Sequence, residues 1–74
     1  MNNSYELGVG ERLKALRLAT GNSQRQAALK IGLSYSTIRK YESGEFLPSA
    51  LTLIDLADFY KTSVDYILGR VEEA

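Results

Sequence analysis

The chain has 74 residues, 45% of them hydrophobic and 24% charged, with a formal net charge of zero. That is one small domain, and a chain this short buries only about 60% of the surface it exposes when unfolded, which suits a compact helical bundle. It has no cysteine and no histidine, which excludes a disulfide framework, thiolate metal sites, and the commonest general base and metal ligand.

Residues 9–20 read as the first helix, because Val9, Leu13, Leu16 and Thr20 fall on one face and Gly21 stops the pattern. Ser23 is a natural N-cap for a second helix, with Gln24, Ala27, Ala28 and Ile31 on one face and Gly32 at its end. Ser34 caps a third, with Ile38 and Tyr41 facing inward and Gly44 beyond it. Ser49, after the only proline, Pro48, caps a fourth whose stripe is Leu53, Leu56, Ala57 and Tyr60. Ser63 caps a short fifth, with Val64, Ile67 and Leu68 inward and Gly69 as terminator. Strand-like alternation, low complexity and repeats are absent. The expected fold is all-α, with one domain over residues 9–70 between flexible ends at 1–8 and 71–74.

Charge is distributed unevenly along this chain. Residues 11–40 hold Arg12, Lys14, Arg17, Arg25, Lys30, Arg39 and Lys40 against Glu11, a balance of +6. Residues 41–74 hold seven acids against Lys61 and Arg70, a balance of −5. A bipolar molecule can turn its basic side toward phosphates while the acidic side stays away. No apolar run approaches the ~20 residues of a membrane span, and residues 1–8 lack the pattern of a signal peptide. The expected location is the cytoplasm.

The informative stretch is Gln24 to Ser43, QRQAALKIGLSYSTIRKYES. Two short helices meet at Gly32-Leu33, a helix-turn-helix whose corner needs the positive φ that glycine adopts freely. Small Ala28 suits the close approach, and Ile31, Leu33, Ile38 and Tyr41 fill the inner corner. At 100° per residue, Ser36, Arg39, Lys40 and Ser43 then face outward, with Tyr35 and Thr37 on the flanks. That face suits a major groove. Arg39 can donate bidentately to guanine, Lys40 can reach the same acceptors or a phosphate, and Tyr35 can touch a thymine methyl or the backbone.

From about Gly10 to Gly69 the chain resembles the phage-repressor class of helix-turn-helix regulators, the Cro/cI-type or xenobiotic-response-element family. The resemblance rests on Ser23-Gln24, the Ala28 and Gly32 spacing, Ser34 through Glu42, Ser43-Gly44, Pro48-Ser49, and the closing Ser-Val-Asp-Tyr-Ile-Leu-Gly of residues 63–69. It implies a five-helix, lambda-repressor-like fold and a sequence-specific transcriptional regulator, a repressor by expectation. Such a protein reads double-stranded DNA with residues 34–43 as a homodimer on a two-fold operator, its half-sites about 34–36 Å apart. By the same resemblance, Tyr35, Ser36, Arg39 and Lys40 stand where base edges are read. Gln24, Ser34 and Thr37 stand where the backbone is gripped, with Arg25 and Ser43 as further phosphate contacts. Arg17 and Glu42 match a partly buried ion pair that joins the first helix to the end of the third.

Several positions depart from the family pattern. Ala27 replaces a usual leucine, Leu29 occupies a usually polar position, and Leu18 lies opposite the core stripe. Phe46 and Leu47 stand where basic residues often touch phosphate. Leu47 then either staples the start of the fourth helix or joins Phe46 in a dimer interface. The rival function is a protein-interaction module on the same fold, such as an antitoxin or anti-repressor. Catalysis is not expected: Asp55, Asp58 and Asp65 read as a solvated face, and Gly8-Val9-Gly10 lacks the third glycine and preceding strand of a dinucleotide fingerprint. No metal, cofactor or small-molecule ligand is called for.

Overall fold

Four serines set where four of the five described helices begin. In the computed structural model, which describes residues 4–73 and the side chains of residues 8–73, the order is α1 (Ser4–Ala19), α2 (Gln24–Ile31), α3 (Tyr35–Ser43), α4 (Ala50–Tyr60) and α5 (Val64–Leu68). Ser23, Ser34, Ser49 and Ser63 have extended backbones, and each hydroxyl accepts from the backbone N–H three residues on. One of the orphan donors at each helix start is thereby satisfied. At α2 the cap is reciprocal, because the backbone N–H of Ser23 donates to the side chain of Gln26 at 2.8 Å.

One helix differs from the sequence reading in its bounds. Helix α1 begins at Ser4, not at residue 9, and ends at Ala19; residues 1–3 lie outside the described residues. Gly8 and Gly10 disfavour helix by propensity, so the stretch reads as loop when taken alone. Tertiary packing overrides that preference. A Cβ on Gly10 would sit 2.6 Å from the carbonyl oxygen of Glu42 and 2.7 Å from that of Tyr41. The bare backbone therefore lets α1 lie directly on the end of α3. Gly8 likewise leaves room for the guanidinium of Arg12. Helix α4 ends at Tyr60, the last residue of its apolar stripe, and its C-cap Lys61 lies in the left-handed region, φ 57° and ψ 49°, where no glycine marks a stop. Val71 to Glu73 follow α5 outside any helix, and residue 74 lies outside the described residues.

The core joins α1, α3, α4 and α5 through Val9, Leu13, Tyr41, Leu53, Leu56, Ala57, Tyr60 and Ile67, all buried. Helix α2 packs on α3 and α4 through the fully buried Ala27 and nearly buried Ala28. Small residues here allow the close approach that the corner requires. Ile38 is buried on the inner side of α3, so α3 is fixed by Ile38 and Tyr41 while its opposite side faces solvent.

Candidate nucleic-acid interface

The corner between α2 and α3 is built by Gly32, at φ 94° and ψ 28°. The N–H groups of Gly32 and Leu33 both donate to the carbonyl of Ala28 at 2.9 Å, closing the end of α2 and turning the chain into Ser34. With Ile38 and Tyr41 inward, Tyr35, Ser36, Arg39 and Ser43 are exposed, and Lys40 is half-buried. No acid lies within α3 before Glu42.

Two cation–aromatic contacts shape this surface. The guanidinium of Arg25, on α2, lies 4.2 Å from the centre of the Tyr35 ring. The ammonium of Lys40 lies 4.8 Å from the centre of the Phe46 ring. Such contacts are worth about 0.5–1 kcal/mol at exposed sites. Their larger effect is geometric, since each restricts a long flexible cation. The Lys40–Phe46 contact arises from the end of α3. Gly44 takes a left-handed conformation, and the N–H groups of Glu45 and Phe46 fold back onto the Lys40 carbonyl at 3.0 and 3.2 Å. Phe46 is thereby laid over the last turn. The sequence reading missed this partner for Lys40, because the contact depends on how the chain turns back after Gly44.

Behind the exposed face lies a buried polar network. Arg17 Nε donates to Glu42 Oε2 at 2.7 Å and Arg17 Nη2 to Glu42 Oε1 at 2.9 Å, with the two side chains 8% and 4% exposed. Arg17 Nη1 donates to the carbonyl of Asn22 at 3.0 Å. Gln24 Nε2 donates to Glu42 Oε1 at 3.0 Å. The Glu42 carboxylate thus ties α1, the α1–α2 turn and the first residue of α2 to the end of α3. Its bond to Arg17 holds that guanidinium's pKa above the usual value against the opposing effect of burial. The hydroxyl of Tyr60 is pushed up to about 12, chiefly by burial, with Glu42 adding to the shift and Arg17 opposing it.

The other expected backbone contacts have local partners. Ser34 Oγ accepts from the Thr37 N–H at 3.0 Å and pairs with Thr37 Oγ1 at 2.8 Å. Ser43 Oγ donates to the Lys40 carbonyl at 3.1 Å and accepts from the Glu45 N–H at 3.3 Å. Arg25 is exposed apart from its ring contact. Phe46 and Leu47 are half exposed.

Residues 13–67, well over half the chain, match the helix-turn-helix family model. The chain belongs to the Cro/cI-type helix-turn-helix family. Among the family's members it is similar to the cryptic phage CTXphi transcriptional repressor RstR of Vibrio cholerae, 42% identical over 62 residues that cover 84% of this chain and 55% of that protein. It is 35% identical over 66 residues to the HTH-type transcriptional regulator ImmR of Bacillus subtilis, covering 89% of this chain and 52% of ImmR. The HTH-type transcriptional regulator AnsR of Bacillus subtilis is 38% identical over 63 residues, covering 85% of this chain and 54% of AnsR. The chain spans about half the length of the curated relatives it matches. No described helix is long and apolar enough to cross a membrane.

Proposed function

We propose that this chain binds double-stranded DNA sequence-specifically and represses transcription in the cytoplasm, with α3 lying in the major groove. The observation that carries the reading is the outer side of α3. It exposes Tyr35, Ser36 and Arg39 beside Lys40, and the nearest carboxylate on the helix is bonded away to Arg17. In this reading Arg39 and Lys40 donate to base edges and Tyr35 and Ser36 supply apolar and hydroxyl contacts. Gln24, Arg25, Ser34, Thr37 and Ser43 border the phosphates. The regulatory names of the relatives, and the word repressor in that of RstR, support the direction of control.

The same reading has two copies on a two-fold operator, with half-exposed Phe46 and Leu47 forming the seam between them. Phe46 then serves both the seam and the placement of Lys40. Selection of bound duplexes from a random pool tests the whole reading. It is expected to enrich one sequence with two-fold symmetry, half-sites about one helical turn apart. A pool that stays random after repeated rounds contradicts sequence-specific binding.

A second reading, a protein-interaction module of the antitoxin or anti-repressor kind, is favoured by Leu29 and Leu51, which are 83% and 76% exposed. Fluorescence anisotropy with mixed genomic fragments separates the two, since that reading needs no affinity for DNA.

A further inference from the structure

The side of α4 turned away from the core is built unlike a solvated helix face. Leu53, Leu56, Ala57 and Tyr60 are buried. At about 100° per residue, Leu51, Ile54, Asp55 and Asp58 fall together on the opposite side, and all four are exposed. We propose that this side of α4 docks a basic amphipathic helix of a partner protein, with apolar side chains of the partner on Leu51 and Ile54 and its Lys or Arg on Asp55 and Asp58. The inference is independent of whether α3 reads DNA.

Nothing within α4 accounts for the two acids. A solvated helix gains from opposite charges three or four residues apart, yet the residues at those distances from Asp55 are Leu51, Thr52, Asp58 and Phe59. Asp55 and Asp58 are thus a like-charge pair one turn apart, which works against the helix. Asp58 also lies in the last turn, where the helix dipole disfavours an anion and no base stands. Among the described residues the ion pairs are Arg17–Glu42 and Arg70–Asp65, so neither acid of α4 is paired. Lys61, three residues after Asp58, has already left the helix in the left-handed region.

The apolar half points the same way. Single exposed apolar residues are ordinary, but Leu51 and Ile54 are neighbours on one face, and both are large and exposed. Apolar anchors one turn apart are what a docked amphipathic helix packs against, and flanking charges of one sign select a partner of the other. The balance of −5 over residues 41–74 extends that attraction beyond contact distance. A second copy in two-fold contact would lay this side of α4 on itself, bringing the acids of both copies together with no cation on the face to offset them. A basic amphipathic helix satisfies both halves at once, because it covers Leu51 and Ile54 and pairs Asp55 and Asp58.

The test titrates the isotope-labelled chain, followed by NMR, with a synthetic peptide of about 18 residues, long enough to hold a helix, that has leucines at helical spacing and lysines elsewhere. Backbone amide shifts are expected to change along α4 and to stay unmoved along α3. Leu51→Gln with Ile54→Gln is expected to raise Kd about ten-fold. Asp55→Asn with Asp58→Asn is expected to raise it about five-fold and to flatten its salt dependence. All four positions are exposed, so both variants keep the fold, which an unchanged thermal midpoint checks. The same peptide with glutamate in place of lysine is expected to leave the spectrum unchanged. No shift changes with the lysine peptide at about 1 mM overturn the proposal, as do changes centred away from α4. Wild-type affinity in either double variant, or equal binding of the glutamate peptide, also overturns it. Shifts along α4 that follow the concentration of the protein alone, and vanish in Leu51→Gln, overturn it in favour of a second copy.

Discussion

Arg17 and Glu42, 25 positions apart, meet side-on through two parallel bonds of 2.7 and 2.9 Å in a nearly solvent-free site. Removing one partner leaves the other charge buried, which costs about 3–5 kcal/mol. That is a large share of the stability of a small domain. Glu42→Ala is therefore expected to lower the urea midpoint sharply or leave the chain unfolded at 25 °C. The double variant Arg17→Met, Glu42→Leu removes both charges and is expected to recover most of the loss. If Glu42→Ala unfolds with the wild-type midpoint, the pair does not hold α3 in place.

The contact of Gly10 with the end of α3 yields a second expectation. A methyl there meets two backbone carbonyls at less than 3 Å, and backbone cannot rotate aside as a side chain can. Gly10→Ala should destabilise by about 1–3 kcal/mol, although alanine is the better helix former. Thermal denaturation decides between these opposing effects, because a raised midpoint means propensity outweighs the clash.

Lys61 carries the one positive φ among the described non-glycine residues. Left-handed backbone costs an L-residue about 1–2 kcal/mol, and glycine avoids this at the expense of greater freedom when unfolded. Lys61→Gly is expected to stabilise the domain by up to about 1 kcal/mol in chemical denaturation. Lys61→Val, whose branched side chain tolerates this region poorly, should do the opposite.

Tyr60 links the same polar network to pH. Its hydroxyl ionises near 10.0 in the unfolded chain and at about 12 in the folded one. The raised folded pKa means that its contribution is complete below pH 10 and is lost as pH rises from 10 toward 12. Tyr60→Phe should show a shallower decline of stability across that window. A wild-type curve no steeper than that of Tyr60→Phe would show that the buried hydroxyl ionises as readily as an exposed one.

The starts of α2 to α5 were legible because each rests on a local device, a serine whose hydroxyl caps the backbone three residues on. Three of their ends were legible through glycine. The start of α1 was hidden because the reason for Gly8 and Gly10 lies in Arg12 and in the carbonyls of α3, the latter more than thirty residues away. The end of α4 carried no glycine signal, because Lys61 adopts a glycine-like conformation without being glycine. At the site, periodicity gave the outward side of α3. It could not give the ring under each cation, since Arg25–Tyr35 spans the corner and Lys40–Phe46 depends on the turn after Gly44. Nor could it show that Gln24 shares its amide with Glu42, because that bond exists only once α1, α2 and α3 are assembled.

The central claim is that α3 reads base identity, and Arg39 tests it most directly. Wild type and Arg39→Ala would be titrated by anisotropy against the selected duplex, its single-base-pair variants and a random duplex, all at one salt concentration. The account predicts that Arg39→Ala loses about 1–3 kcal/mol on the selected duplex and no longer discriminates at one base pair, while its affinity for random DNA changes far less. An equal loss on every duplex, with all base preferences intact, would contradict it.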